Sequence, residues 1–255
     1  MAMFRTKRRK IERLDFILAG AQKSGTTALH YFLSKHPDIT MGDKQEMHFF
    51  DNEEMFAGQV DYELLHERFP QLRPWAIAGE CTPIYIYWKP AMERIWKYNS
   101  KIKLLIILRN PVDRAFAHWN MQRFKGREQL DFLDAVKEEK HRSSEIAPLQ
   151  SRRFSYVDRG FYAGQLERVF KFFPREQARI MKFEEFRDKK AETLDAIFRF
   201  LGVEPFVSSR DKDWNVVPYE REMTQDERKR ICEIFAEDIA NLERMLGWDC
   251  SDWEM

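Results

Sequence analysis

The chain is poor in cysteine and has no long apolar run. Its three cysteines, Cys81, Cys232 and Cys250, are too few and too scattered for a disulfide framework or a metal site. No stretch reaches the roughly 20 apolar residues of a membrane-spanning helix. The basic segment RTKRRKIER lacks the following apolar segment of a signal peptide. We therefore expect a cytoplasmic protein with no membrane span, in which basic residues 1–13 form a flexible tail.

The sequence also has almost no excess of positive or negative charge. The sequence has 43 lysines and arginines against 42 aspartates and glutamates. A nucleic-acid-binding protein is usually more basic, so we expect no nucleic acid partner. Internal repeats and linker-like stretches are lacking as well, and 255 residues suffice for one large core. The sequence predicts a single domain over residues 1–255 and leaves its oligomeric state open.

Short apolar segments alternate with amphipathic ones along the chain, which is typical of a parallel α/β sheet. Strands are predicted at residues 16–19, 39–41, 75–79, 103–108 and 178–183. Helices are predicted at 61–69, 91–98, from 111, at 130–140, 162–173, 191–201 and 224–246. Thr224 and Glu227 form a capping box for the last helix, whose predicted core residues are Ile231, Ile234, Phe235 and Leu242. The predicted fold class is three-layer α/β, with a central parallel sheet flanked by helices.

The segment FILAGAQKSGTTALHYFL, residues 16–33, reads as a buried strand, a loop between two glycines and the start of a helix. Gly20 and Gly25 permit tight backbone turns, and the free N–H groups of the helix that starts at Thr26 face back into the loop. With the ammonium of Lys23, these groups predict a site for a phosphate-like anion. We call residues 21–25 the phosphate loop.

The spacing approaches the nucleotide-binding pattern G-x-x-x-x-G-K-[ST], with two differences. Thr26 occupies the lysine position, and the only lysine of the loop is Lys23. The strand KLLIIL ends in Arg109, where a Mg²⁺-dependent kinase has an acidic residue that helps to hold the metal. The sequence therefore favours an anion held without a metal. A small-molecule kinase of the same fold remains an alternative.

Several further motifs follow in order and cover nearly the whole chain. They are GAQKSGTTAL, EMHFFD (residues 46–51, here the acceptor motif), LRNPVDRAFAHW, GFYAGQLERVFKFFP and the ending over residues 215–253. Together they resemble the sulfotransferases that use 3′-phosphoadenosine 5′-phosphosulfate (PAPS), especially the heparan sulfate N- and 3-O-sulfotransferase branch. The resemblance implies a P-loop-like fold and transfer of a sulfo group to a hydroxyl, less readily an amine, of a carbohydrate or small molecule. A non-catalytic sulfonucleotide-binding protein is the second alternative.

The same resemblance assigns roles to individual residues. The 5′-phosphosulfate group would be held by Lys23, Ser24, Gly25, Thr26 and Thr27. Lys23 would also stabilise charge on the leaving phosphate, and Arg109 would bind the 3′-phosphate. The resemblance implies no metal.

Glu46 and His48 lie two residues apart, so in an extended segment both side chains would project to one side, toward an acceptor. Either group can take the proton that the acceptor loses. The resemblance places the role of base on Glu46 and leaves His48 to orient the acceptor or share the role. The neighbouring Phe49 and Phe50 are predicted to be core residues.

The sequence departs from the family pattern at three places. Ala117 stands where a serine usually contacts the 3′-phosphate, with His118 and Asn120 as neighbouring candidates to replace it. Cys81 stands where the heparan sulfate enzymes carry a lysine. Val217 and Pro218 follow Asn215 where a basic residue is common, and Arg221 is a candidate to compensate.

A group of arginines after the middle of the chain suggests a basic rim for an anionic acceptor. They are Arg142, Arg152, Arg153 and Arg159, and a polar loop rich in arginine is more often a solvated surface than a binding rim.

Overall fold

A computed structural model describes residues 8–146, 150–207 and 218–253. Its five strands are β1 (Phe16–Gly20), β2 (Ile39–Met41), β3 (Ile77–Cys81), β4 (Lys103–Leu108) and β5 (Ala178–Lys182). They form one sheet in the order β2-β3-β1-β4-β5. Every pairing is parallel. The carboxyl ends of all five strands therefore meet at one edge of the sheet.

Helices occupy the connections between the strands. In the described residues they are α1 (Thr26–Lys35), α2 (Glu63–His66), α3 (Ala91–Tyr98), α4 (Pro111–Phe124), α5 (Phe132–Ser144), α6 (Tyr162–Phe172), α7 (Phe183–Asp188), α8 (Lys190–Leu201) and α9 (Gln225–Leu246). None of the helices in the described ranges is long and apolar enough to cross a membrane.

Alternate residues of the central strands point to opposite faces of the sheet and build two apolar clusters. On one face Ile17 and Leu104 pack with residues of α3, α4, α6 and α9. On the other face Leu18 and Leu105 pack with residues of α1, α7 and α8. Because successive strand side chains alternate between faces, a strand that is apolar throughout must be covered on both sides. The three-layer α/β fold predicted from the sequence is confirmed.

β1 lies at the centre of the sheet, between β3 and β4, and is completely buried. Its register with β4 brings Gly20 opposite Ile106, near the end of β4. In open parallel sheets ligands bind outside the carboxyl ends of the strands, where the order of connections reverses. The phosphate loop after β1 occupies this position.

Some predictions of element bounds and burial are wrong. Arg9 forms a bridge with Leu72, and Ile11 is buried, so the chain joins the fold before the end of the expected tail at residue 13. The third strand begins at Ile77, because the ladder with β2 starts there. The helix expected at 61–69 is the single turn α2.

Another error concerns Ile234, which is 43% exposed. The buried stripe of α9 runs through Ile231, Phe235, Ile239 and Leu242. The other three core residues predicted on this helix are therefore confirmed, and the capping box at Thr224 and Glu227 is present.

Candidate active site

The phosphate loop turns sharply between β1 and α1. Lys23 and Gly25 both adopt left-handed backbone conformations, with φ of 70° and 87°. A Cβ atom at Gly25 would lie 2.8 Å from the ring of Phe183, so a larger residue is excluded by both the backbone and the space. No acidic residue lies in the first turn of α1, and no side chain caps it. Its free N–H groups remain available for an anion.

Two hydroxyl groups of this segment differ in their surroundings. The Ser24 hydroxyl is fully buried and has no hydrogen-bond partner among the described residues. The Thr27 hydroxyl, in contrast, accepts a hydrogen bond of 3.2 Å from the side-chain amide of Gln45. A buried polar atom is normally paired, so the Ser24 hydroxyl is suited to a ligand that reaches into the loop.

Positive charge converges on the phosphate loop. Burial, followed by the charges of Arg109 and Lys125, lowers the pKa of Lys23, and the charge of Glu46 opposes these effects. Crowded cations in a partly buried place favour the binding of an anion, which removes their mutual repulsion. The loop therefore suits an anionic group.

Arg109 reaches the loop from the end of β4. Its guanidinium donates to the main-chain oxygen of Lys23 over 3.4 Å and lies 5.1 Å from the centre of the Phe183 ring. Within residues 8–146, 150–207 and 218–253 it makes no ion pair with a carboxylate. The structure thus brings Arg109 and Lys23 together, with Arg109 available for a second anionic group.

The acceptor motif forms a chain of charged side chains. His48 Nδ1 lies 2.9 Å from Asp51 Oδ2, and His48 Nε2 lies 3.5 Å from Glu46 Oε2. Asp51 is fully buried, whereas the side chains of Glu46 and His48 are 38% and 41% exposed. Glu46 and His48 therefore face the solvent-accessible side of the site, with Asp51 behind the imidazole.

The carboxylates control the charge of His48. Hydrogen bonds with Asp51 and then with Glu46 raise the pKa of His48 to about 9, against a smaller opposing effect of burial. For Asp51, burial opposes ionisation, but the hydrogen bond with His48 and the charge of Arg152 outweigh it and lower the pKa. His48 is consequently an imidazolium near neutral pH and has no free lone pair to accept a proton.

The backbone of the acceptor motif is not the extended segment predicted from the sequence. Glu46 and His48 have φ of 59° and 55°. Non-glycine residues in this region cost free energy, and such strain is common at functional sites. The side chains meet because both residues, two apart, turn in the same unusual way. The two side chains lie close together, as predicted, but the backbone that carries them is not extended.

Hydrogen bonds from β3 and the turn after it hold this strained backbone. Glu46 N–H donates to the Cys81 main-chain oxygen over 2.8 Å, and His48 N–H donates to the Thr82 hydroxyl over 3.4 Å. The Thr82 hydroxyl donates to Glu80 over 2.8 Å. Burial raises the pKa of Glu80 to about 7. Phe49 and Phe50, two residues of the same motif, are buried in the core, as predicted.

The proposed basic rim is largely absent from the described residues. Arg142 pairs with Glu128 at 2.5 Å, Arg152 pairs with Asp51, and Arg159 is buried. Arg153 is exposed and forms no ion pair with the described part of the chain. Three of the four arginines therefore serve internal contacts.

The candidates to replace the missing serine at Ala117 are also engaged. Asn120 donates to the Pro218 main-chain oxygen and accepts from Glu220 N–H, at 3.2 and 3.0 Å. His118 is fully buried against Gln122.

Arg221, the candidate to compensate for Val217 and Pro218, pairs with Glu227 at 2.5 Å. Asn215 and Val217, the other site of departure, lie outside the described residues.

The sequence alone did not indicate the contacts that Asp51, Gln22, Arg152 and Arg159 make in the site. The pairing of Asp51 with His48 could have been predicted, because an acidic residue three positions after a histidine can contact it in a compact turn. The arginine contacts join residues 101 and 137 positions apart, and no local pattern marks them.

A family profile described as "Sulfotransferase domain" matches residues 13–217. The chain belongs to the sulfotransferase family. It is 32% identical over 199 residues to heparan sulfate glucosamine 3-O-sulfotransferase 5 of Mus musculus, covering 78% of this chain and 56% of that protein.

A second relative is the human bifunctional heparan sulfate N-deacetylase/N-sulfotransferase 2, with 27% identity over 212 residues, 80% of this chain and 24% of that protein. The chain thus spans about half or less of the length of these curated relatives. A sulfotransferase crystal structure from Alicyclobacillus acidocaldarius superposes with a TM-score of 0.82 at 30% identity, covering 96% of this chain and 100% of that one. The predicted family is confirmed, and the family is one of transferases.

Proposed function

We propose that the protein transfers the sulfo group of PAPS to a hydroxyl, less readily an amine, of a carbohydrate or small-molecule acceptor. One observation carries the proposal. Gln45 donates to Thr27 in the first turn of α1, so the residue next to Glu46 contacts the helix start that directly follows the phosphate loop. A cofactor held at Lys23 and an acceptor held at Glu46 would consequently share one site. The family membership and the carbohydrate-sulfating names of the relatives support the same class of reaction.

The donor set suits PAPS on two sides. Lys23, the Ser24 hydroxyl and the N–H groups from Gly25 to Thr27 would hold the 5′-phosphosulfate, and Arg109 would hold the 3′-phosphate. PAPS supplies the sulfo group that is transferred. Lys23 stabilises the negative charge that develops on the leaving side, since its ammonium lies in a partly buried loop.

On the acceptor side, Glu46 is the group able to take a proton. His48 is protonated near neutral pH and shares its two N–H groups between Glu46 and Asp51. We assign general-base catalysis to Glu46 and orientation of the acceptor to His48. The imidazolium also holds the Glu46 carboxylate in place through the 3.5 Å contact.

An assay with labelled PAPS and a panel of sugars, phenols and amines tests the proposal. We expect label transfer to at least one hydroxyl acceptor, together with binding of adenosine 3′,5′-bisphosphate in calorimetry. Tight binding of ATP with Mg²⁺, and none of the bisphosphate, would indicate the kinase alternative. Binding of PAPS without transfer to any acceptor would favour the non-catalytic alternative.

Arg109→Ala tests the position of the 3′-phosphate. We expect it to weaken adenosine 3′,5′-bisphosphate by about 10- to 100-fold, because a charge-assisted hydrogen bond contributes about 1.5–3 kcal/mol. Adenosine 5′-phosphate, which lacks the second phosphate, is the matched control ligand and should bind almost unchanged. Calorimetric titration of both ligands measures the difference. Equal weakening of both would mean that Arg109 supports the loop rather than the 3′-phosphate.

The raised pKa of His48 predicts how stability depends on pH. His48 is charged in the folded protein up to about pH 9, but an unfolded histidine loses its charge above its ordinary pKa of 6.5. Its stabilising contribution is therefore fully present below pH 6.5 and is lost as the pH rises through about 9. Urea unfolding of the parent and His48→Asn should show a gap in unfolding free energy at about pH 6 that narrows by about pH 10. A gap that does not change with pH contradicts the ion pair.

A further inference from the structure

Arg152 makes contacts that the proposed reaction does not use directly. One guanidinium nitrogen donates to Asp51 Oδ2 and the other to the Asp51 main-chain oxygen. The guanidinium also lies 4.5 Å from the centre of the Trp88 ring. Arg152 therefore grips both the side chain and the backbone of Asp51, in the two-pronged manner that a guanidinium allows and an ammonium does not.

Asp51 needs such a partner. Its carboxyl group is fully buried, Oδ2 is shared between His48 and Arg152, and Oδ1 has no partner within the described ranges. A buried carboxylate is stable only when it is paired, and removing one partner leaves it free to turn or to take up a proton. The orientation of the Asp51 carboxylate consequently depends on Arg152 as well as on His48.

The loop that carries Arg152 is fixed to the phosphate loop at its other end. Arg159 is buried, donates to the Arg152 main-chain oxygen over 2.7 Å and also donates to the side-chain oxygen of Gln22. It lies 4.8 Å from the centre of the Tyr87 ring. A continuous set of contacts thus runs from Gln22 through Arg159 and Arg152 to Asp51 and His48.

We propose that Arg152 is a positioning residue, which fixes Asp51 and through it the imidazolium of His48 opposite Glu46. The inference rests on the proposed function, because it refines the acceptor side of that site. The contacts of Arg152 with Asp51 and Trp88 support a role in geometry, in which Arg152 acts through Asp51.

NMR of the whole protein tests this without any acceptor. The probe is the His48 imidazole: its titration midpoint and its Nδ1 proton, which the hydrogen bond to Asp51 protects from exchange with water. His48→Asn identifies both signals. We compare Arg152→Gln and Arg152→Lys with Arg153→Gln, a matched control that removes the neighbouring exposed cation. Circular dichroism establishes that each variant is folded.

In Arg152→Gln we expect loss of the protected Nδ1 signal and a fall of the His48 midpoint toward 6.5, its ordinary value. Arg152→Lys, which reaches only one oxygen, should retain the signal in part and supplies the comparison if the glutamine variant does not fold. Arg153→Gln should match the parent. An unchanged signal and midpoint in Arg152→Gln would overturn the proposal, and so would a raised midpoint, which means that Arg152 contributes only charge.

Turnover gives a second readout. Misplacing a group of the site by about 1 Å costs up to about 100-fold, so Arg152→Gln should lower kcat/KM for the acceptor by about 10- to 100-fold, with the KM for PAPS nearly unchanged. A parent protein that transfers no sulfo group would refute the proposed function alone, because the NMR comparison would still decide the role of Arg152. A rise in the KM for PAPS at constant kcat would overturn the positioning role.

Discussion

Glu46→Gln is expected to lower turnover by about 10²–10⁴-fold, the usual contribution of general-base catalysis. Glutamine has nearly the size of glutamate and can still accept the contact from His48, but it takes up no proton. The carboxylate lies 3.5 Å from an imidazolium that is itself unable to act as a base near neutral pH. Steady-state kinetics with PAPS and a hydroxyl acceptor measure the loss, and the affinity for adenosine 3′,5′-bisphosphate should persist.

His48→Asn is the matched comparison, since asparagine keeps a donor and removes the charge. It should cost less than Glu46→Gln and act mainly through the KM for the acceptor. If His48→Asn abolishes turnover while Glu46→Gln stays within a few-fold of the parent, the roles are reversed. If Glu46→Gln loses affinity for the bisphosphate, the carboxylate shapes the phosphate loop and the assignment of a base fails.

The sequence predicted those parts of the site that depend on residues close together in the chain. The apolar strand, paired glycines and helix start around Lys23 specify the loop, because each residue acts on its neighbours. The position of Arg109 beside the phosphate loop followed from the sequence, because a parallel strand must end at the edge where that loop lies. Glu46 and His48 were found as a pair within six residues of sequence.

The parts that the sequence did not predict depend on packing between distant segments. Left-handed φ values at Lys23, Glu46 and His48 are unusual for these residue types, and the bonds that hold Glu46 and His48 come from β3 and its following turn. The internal use of Arg152 and Arg159 became visible only when residues 151–159 were placed against the acceptor motif and the phosphate loop. A cluster of arginines in sequence reads as a solvated or ligand-binding surface until their partners are known.

Lys23→Ala is the second variant with a large expected effect. Removing one fixed donor from a site where charge develops costs about 10²–10³-fold in turnover. Alanine retains a Cβ atom, so the cost of the left-handed backbone at position 23 is nearly the same in both proteins. The loss therefore reports on the ammonium group rather than on a relaxed loop. Initial rates with saturating acceptor measure it.

Lys125→Ala provides the control, because Lys125 is an exposed cation at the end of α4 whose charge lowers the pKa of Lys23. Its removal should leave turnover near neutral pH within a few-fold of the parent. Its effect at alkaline pH has a defined sign. Lys23 keeps its proton to higher pH once a neighbouring positive charge is removed, so the alkaline fall of kcat/KM should move to higher pH.

Full activity of a folded Lys23→Ala protein would show that the phosphate loop does not stabilise the leaving group through this lysine. An alkaline limb that does not move in Lys125→Ala would show instead that a group other than Lys23 sets it.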